Sequence, residues 1–510
     1  MGQSRKRKSF LLHAAVLNSL VGGLMAVPIA SSAGAGPSVF EGPVPRPVAC
    51  APGDRPETGI QGEVPIADRK SGRSKDGYNC NLELVGQYTR GEGFEGAGYQ
   101  ASYYGDCGYY ETGVGSQTRR GVQVVDASNR TDPKVVKNLT TPAMLSPWES
   151  LKVHPDRKLL AGVMLHTSAQ APFTGFTQAG WIDIYDVGAD CANPKLLASR
   201  PFAGASHEGN WTQDGNTFWA ASLFPGLLTA IDVKDPTNPV AVGSFPTNSI
   251  IHGLGTSPDG NRLFVAYIND DAYFTAVVNP RADALEEAYG TESKRDGNGL
   301  AIWDVSEFQA RRPNPQAKLI STLFWKDGQV GQHALPVTRE GKPYVIFIDE
   351  YGQGGPRIID ISDERHPVIV SKLKTEILMP QNYDKFREGR DYERIGGVTP
   401  TPTASSPPFG YNTHYCSVDH LVEPTILACS NFMSGVRIFD IRDFAAPKEI
   451  AYYNPGGDGK LMPGSYGGHT AAYTTAAPRI IEETGEIWFT DMDAGFFVTK
   501  FADGVWPFRR

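Results

Sequence analysis

The sequence predicts an all-β fold, a seven-bladed β-propeller closed by an N-terminal strand that completes the last blade. Three observations predict it. First, a β-branched or apolar run ending in Asp recurs six times, at residues 121–126 (GVQVVD), 181–186 (WIDIYD), 228–232 (LTAID), 300–304 (LAIWD), 356–360 (PRIID) and 436–440 (VRIFD). A weaker seventh copy at 495–500 (GFFVTK) lacks the Asp. Self-similarity at a period of tens of residues signals a repeat architecture. Second, the third repeat reads as four short strands, 207–212, 217–223, 227–233 and 240–245, separated by turn-forming QDGN, FPG and DPTNP. Four short strands in about 45 residues make one propeller blade. Third, the last repeat lacks a fourth strand, whereas residues 82–88 (LELVGQY) match the fourth-strand pattern VAVGSF at 240–245. Joining the two ends removes a free sheet edge.

Taken in order, residues 1–35 read as a signal peptide. Arg5 to Lys8 form a basic start, residues 11–27 an apolar stretch, and Ala33-Gly34-Ala35 a small-residue cleavage site. Residues 7–11 (RKSFL) miss a twin-arginine pattern by one residue, Lys8. The apolar stretch falls short of about 20 residues, so no transmembrane segment is expected after cleavage. The chain is therefore expected to be secreted or periplasmic. Residues 36–80 are rich in Pro, Gly and charge and read as a partly irregular arm. Residues 81–510 form the propeller. Successive repeat aspartates stand 60, 46, 72, 56 and 80 residues apart, so the excess is loop. Most of it falls in two insertions, 270–297 with a helix-like stretch at 282–289, and the Pro/Thr/Ser-rich 380–410. Long loops on a rigid scaffold tend to carry function.

Net charge is −8, with basic residues dispersed beyond the extreme N-terminus. That gives no electrostatic footprint for nucleic acid. Expected partners are a small-molecule substrate or a surface ligand. Six cysteines in an exported chain favour disulfides. Cys416 and Cys429 fall in adjacent strands of one repeat and are the easiest pair. The other four allow three pairings.

Registering the repeats on their aspartates exposes a second pattern. His207, His333 and His414 lie 25, 27 and 26 residues before Asp232, Asp360 and Asp440. His252 and His469 open the inner strands of two further repeats. Gln100 and Glu149 take this position in the remaining two. Inner strands line a propeller's channel, so equivalent positions form a ring. The ends of the second strands lie on the same face and carry Asp270, Asp349, Glu350, Asp491 and Asp493. Imidazole suits copper, iron, zinc and manganese, and carboxylates shift the preference to harder ions. The candidate metal ligands are thus His207, His252, His333, His414 and His469. Glu350, and Glu208 beside His207, are the candidate catalytic carboxylates. The competing reading makes the histidines structural, each bonding the neighbouring blade's backbone. Cys416, two residues from His414, is a candidate soft ligand for copper, with a disulfide to Cys429 as the alternative. The repeat aspartates recur too often for one active site and read as turn formers. His154 reads as a turn residue, and His166, His366 and His420 as surface or packing residues.

The repeats, from QVVD at 123–126 to RIFD at 437–440 with following turns such as 235–239, resemble those of the LVIVD-repeat family of bacterial β-propellers. The resemblance covers about 82–501 and implies a propeller fold. More distantly, the chain resembles selenium-binding proteins and methanethiol oxidases, propellers with metal-binding histidines, with no residue-by-residue match. Three functions follow as expectations: a metal-dependent oxidoreductase using copper or iron, with other divalent metals open; a non-catalytic protein- or glycan-binding scaffold; and a metal-assisted hydrolase or lyase.

Overall fold

The computed structural model describes residues 40–508 except 48, 90–97, 99, 113–120, 165–179, 203–205, 224–225, 269–297, 326, 352–353, 383, 386–409 and 458–469. His469, His166, Asp270 and nearly all of both insertions lie outside the described residues. Among the described residues the strands form seven antiparallel propeller sheets. Blade 1 runs from the inner strand outward as Ala101–Tyr104, Cys107–Glu111, Val122–Asp126 and Lys134–Leu139. Blade 2 is Lys152–His154, Leu159–Val163, Gly180–Asp186 and Lys195–Phe202. Blade 3 is Glu208–Trp211, Thr217–Ser222, Leu227–Asp232 and Val240–Pro246. Blade 4 is Ile250–Thr256, Arg262–Ile268, Gly299–Asp304 and Lys318–Phe324. Blade 5 is Gln329–Arg339, Lys342–Tyr351, Arg357–Asp360 and Val368–Lys372, and blade 6 is Tyr415–Val418, Ile426–Ser430, Val436–Asp440 and Lys448–Asn454. Blade 7 is Arg479–Ile481, Glu486–Asp491 and Gly495–Phe501, completed by the N-terminal strand Leu82–Tyr88. That closing strand pairs Leu82 with Phe501 and Tyr88 with Phe496, as expected.

The six recurrent aspartates do one job. Asp126, Asp186, Asp232, Asp304, Asp360 and Asp440 each accept the backbone N–H two residues on, at 2.7–3.0 Å. This Asx turn ends the third strand of its blade. Each third strand also meets the fourth across a register shift, between Val124 and Val125 in blade 1 and between Ile438 and Phe439 in blade 6. Such bulges increase local twist.

Blades pack face to face. Phe218 and Ala220 of blade 3 pack on blade 2, whereas Trp219 and Ala221 pack on blade 4. Alternate residues thus face opposite neighbours, and both sets are buried. This is why the motifs read as unbroken apolar runs rather than alternating ones.

The arm before Leu82 is more ordered than its composition suggests. Phe40–Glu41 adds in parallel outside blade 5, and Tyr78–Cys80 adds outside blade 6. A helix spans Ile66–Ser71 between them. Disulfides join Cys50 to Cys80, Cys107 to Cys191 and Cys416 to Cys429. The last is the expected pair, so Cys416 is not a thiolate ligand. Three disulfides fit a compartment outside the cytoplasm. Among the described residues no helix is long and apolar enough to cross a membrane.

Candidate metal centre

Four of the registered histidines converge. His207 precedes the inner strand of blade 3, His252 and His333 lie within those of blades 4 and 5, and His414 precedes that of blade 6. Glu149, before the inner strand of blade 2, sits among them. Its Oε2 is 3.1 Å from His207 Nε2 and 3.4 Å from His252 Nε2, and its Oε1 is 2.9 Å from His414 Nε2. Glu350, at the end of the second strand of blade 5, lies 3.6 Å from His252 Nε2 through Oε1 and 3.3 Å from His414 Nε2 through Oε2. Glu208 faces Nδ1 of His252 at 3.5 Å and Nδ1 of His333 at 3.4 Å. All seven side chains are buried.

Inner strands form the free inner edge of each blade. Their successive side chains lean toward opposite neighbouring blades, but close to the channel both sets reach the same space. Adjacent residues His207 and Glu208 therefore both enter the cluster. Farther out the alternation separates neighbours. Glu350 points at His414, while Asp349 turns to Arg357, Asn298 and Trp325. Asp491 accepts Thr474 Oγ1 and the N–H groups of Asp493 and Ala494. Of the described second-strand carboxylates expected at this mouth, Glu350 alone joins the histidines.

Two donor triads result, Glu149–His207–His252 and Glu149–Glu350–His414, each with its donor atoms within 4.8 Å of one another. With metal–ligand bonds of about 2.0–2.2 Å, neighbouring donors in a tetrahedral or octahedral shell lie roughly 2.8–3.6 Å apart. The contacts above span that range. Several of them lie off the hydrogen-bond line. Among the described residues, Glu149 Oε2, both Glu208 oxygens, His207 Nε2 and Nδ1 of His252 and His333 are buried without a hydrogen-bond partner. So many orphaned polar atoms in one place demand a cause.

His414 sharpens the point. Its Nδ1 donates to the Thr475 carbonyl at 2.9 Å, so in the neutral ring Nε2 carries a lone pair. That lone pair faces a carboxylate oxygen of Glu149 and another of Glu350. Three electron-rich atoms at such distances repel unless a proton or a cation lies between them. Gln332 Nε2, 3.1 Å away, supplies a single N–H.

Electrostatics agree. Three carboxylates meet one ammonium, Lys152, whose Nζ is 4.0 Å from Glu208, an excess of two negative charges when all are ionised. Burial pushes Glu149 up, yet the His252, His207 and His414 imidazoles outweigh it and hold it well below the usual carboxylate range. Burial likewise opposes ionisation of Glu208, but His252, His333 and Lys152 hold it down at about 2. Burial pushes His252 down, and Glu149, Glu350 and Glu208 raise it overall. Against the same burial, Glu149 and Glu350 raise His414 to about 9. A divalent cation would do the work of the two protons.

Aromatic rings wall the cluster. Trp148 lies against His207, Phe432 and Tyr415 against His414, and Tyr415 also against His333. Trp148 and Phe432 hold positive φ values, 49° and 37°, a strained conformation for bulky residues that gathers at functional sites.

The remaining candidates stay outside. Gln100 accepts N–H groups of Ala101 and Ala477. His154 ends an inner strand and contacts the Gln213 carbonyl. His366 and His420 pair with Asp363 and Glu482 at the surface. Register had marked Glu149 only as one of two non-histidine ring positions; the structure puts it in both triads.

No protein-family model and no curated protein matches the chain, so the likeness to LVIVD repeats rests on the motifs themselves. Among solved structures, the chain is similar to a functionally unknown protein from Desulfotomaculum acetoxidans, with TM-score 0.44 and 13% identity over 73% of this chain and 89% of that one. It is also similar to the periplasmic gluconolactonase of Pseudomonas aeruginosa, with TM-score 0.44 and 12% identity over 82% of this chain and 97% of that one. No residue is carried over from either. The seven-bladed propeller and its buried His/Glu cluster stand on this chain's own geometry.

Proposed function

We propose that the protein is an exported, metal-dependent oxidoreductase whose ion sits in the His/Glu cluster of the channel. The observation that carries this reading is the pair of buried donor triads that share Glu149, one with His207 and His252 and the other with Glu350 and His414. His207, His252 and His414 would hold the ion with Glu149 and Glu350. This nitrogen and carboxylate set suits iron better than copper, and the Cys416–Cys429 disulfide removes the thiolate that would have favoured copper. A redox-active ion there supplies electron exchange with dioxygen or a reducible substrate.

The chain's own part is electrostatic. Glu149 and Glu350 bring negative charge that favours the higher oxidation state. Trp148, Phe432 and Tyr415 exclude bulk water, which strengthens those charges. The hydrolytic reading needs a carboxylate free to act as base, and Glu350 lies against two imidazole nitrogens instead.

Metal analysis of protein isolated from its native export route tests the proposal. About one equivalent of iron, lost on replacing His252 or His414 by Ala, supports it. No stoichiometric metal, with stability indifferent to chelators, refutes it.

A further inference from the structure

We infer that Gln332 supplies one more ligand to the proposed ion, its side-chain amide oxygen, beside His414. The inference rests on the metal reading and adds a donor to its set. Gln332 lies on the inner strand of blade 5, at a break in register. Gly331 pairs with Asp349, His333 pairs with the adjacent Ile348, and Gln332 is left over between them. Such an extra residue re-aims a side chain. Here the side chain turns to blade 6, and its amide nitrogen stands 3.1 Å from His414 Nε2. Local structure holds the bulge in place. Val330 just before it has a φ of 51°, strained for a β-branched residue. Gly253 of blade 4 lets the bulge approach, since a Cβ there would stand 2.4 Å from the Gln332 carbonyl oxygen.

The amide is half satisfied. Gln332 is fully buried, and its Oε1 has no hydrogen-bond partner, a costly state for a buried acceptor. Its side-chain hydrogen bond, to His414 Nε2, occupies the very nitrogen that would bind the ion. An ion there, or a proton, excludes the N–H and calls for an oxygen instead. Half a turn about the last side-chain bond exchanges the two ends of the amide without moving the backbone. The oxygen then takes the nitrogen's place, 3.1 Å from His414 Nε2, within the roughly 2.8–3.6 Å that separates neighbouring donors on one ion. The other neighbours of that nitrogen are Glu149 at 2.9 Å and Glu350 at 3.3 Å, so the amide joins a donor triad already in place. An amide oxygen is a hard donor and shifts the preference further from copper. Being neutral, it adds nothing to the excess negative charge and is the donor most easily exchanged for a substrate atom.

Two measurements on the full chain test this: iron(II) affinity by chelator competition, and visible absorption of the cobalt(II)-loaded protein. The proteins are wild type, Gln332→Leu, Gln332→Asn, Gln332→Glu and His252→Ala, with circular dichroism checking the fold. Gln332→Leu should weaken iron binding at least roughly 10-fold and change the cobalt bands, whose position and strength follow the ligand set. Gln332→Asn keeps an amide but is one methylene short of reach, and should behave as Gln332→Leu does. Gln332→Glu restores an oxygen and should bind at least as tightly as wild type. A purely structural amide predicts the opposite sign. With the competing N–H removed, Gln332→Leu and Gln332→Asn would bind iron as well as wild type or better, and that result overturns the inference. Unchanged cobalt bands in both, or binding by Gln332→Glu as weak as theirs, also overturn it. Wild-type protein that binds neither metal, like His252→Ala, refutes the metal reading itself and this ligand with it.

Discussion

Replacing Glu149 by Gln separates a metal centre from a network of structural ion pairs. Glu149 is the carboxylate common to both triads, 2.9–3.4 Å from three imidazole nitrogens. At an effective dielectric near 20, unit charges about 3 Å apart interact by roughly 5–6 kcal/mol. Gln keeps the shape and one acceptor oxygen but removes the charge. The expected loss of cation binding is about 2–5 kcal/mol, or roughly 30- to 5,000-fold in affinity. Without metal the substitution also costs stability, since Glu149 then pairs with the His252 and His414 rings whose protonation it favours, so the discriminating quantity is the extra loss seen when metal is present. The assay is chelator competition for affinity, with urea unfolding in the presence and absence of chelator. Wild type should lose stability on chelation, and Glu149→Gln should respond far less. Were the histidines imidazolium partners only, Glu149→Gln would strip buried charges of their partner at about 3–5 kcal/mol with or without chelator. Equal destabilisation under both conditions, with unchanged metal content, would refute the metal centre.

Three further outcomes are expected. Phe497→Ala should cost about 3–5 kcal/mol, since this buried ring stacks on Phe489 at 4.7 Å in the strand that receives the closing N-terminal strand; urea midpoints measure it, and a loss below about 1 kcal/mol would argue against closure there. Replacing Cys107 and Cys191 by Ser opens a loop of 84 residues between blades 1 and 2 and should cost about 4–5 kcal/mol on loop entropy, read by unfolding of the double variant. Burial pushes Asp327 up, but Arg357, Lys374 and Lys372 outweigh it and hold it far below the usual range. A depressed carboxylate adds stability above its unfolded value near pH 4 and loses it as pH falls through the folded value. The stability advantage of wild type over Asp327→Asn should therefore shrink on acidification below about pH 4. An advantage that grows on acidification contradicts this.

Duplication made the fold legible. The third repeat's strands fall within about a residue of their expected ends, because each copy repeats the same turn and burial pattern. The histidines were legible for the same reason, since a position counted back from the Asx turn lands on the inner strand. The count fails where extra chain lies between inner strand and Asp. Glu149 stands 37 residues before Asp186 because residues 165–179 intervene, and so register places it on the ring but not among the candidate ligands. Glu208 was visible as His207's neighbour, but its targets were not. Reaching His333 crosses two blades, a contact set by the radius of the ring rather than by any local period.

The arm shows a different limit. Its Pro- and Gly-rich composition gave no periodicity, yet Val64 and Ile60 pack with Trp148, Phe432 and Tyr473. Trp148 and Phe432 touch His207 and His414, so the arm lies one aromatic layer from the cluster. Its anchor is equally non-local: Arg437 of blade 6 holds Glu57 of the arm together with Glu449, and Gln61 also bonds Glu449 at 2.6 Å. Burial matters here because an excess of two negative charges costs little in water and much in a dry interior. By packing against Trp148 and Phe432, the arm keeps water from that side of the cluster and makes the imbalance expensive. If the cluster holds an ion as proposed, the arm's hold on blade 6 and the affinity for that ion are linked through solvent exclusion, although no arm residue stands among the donors.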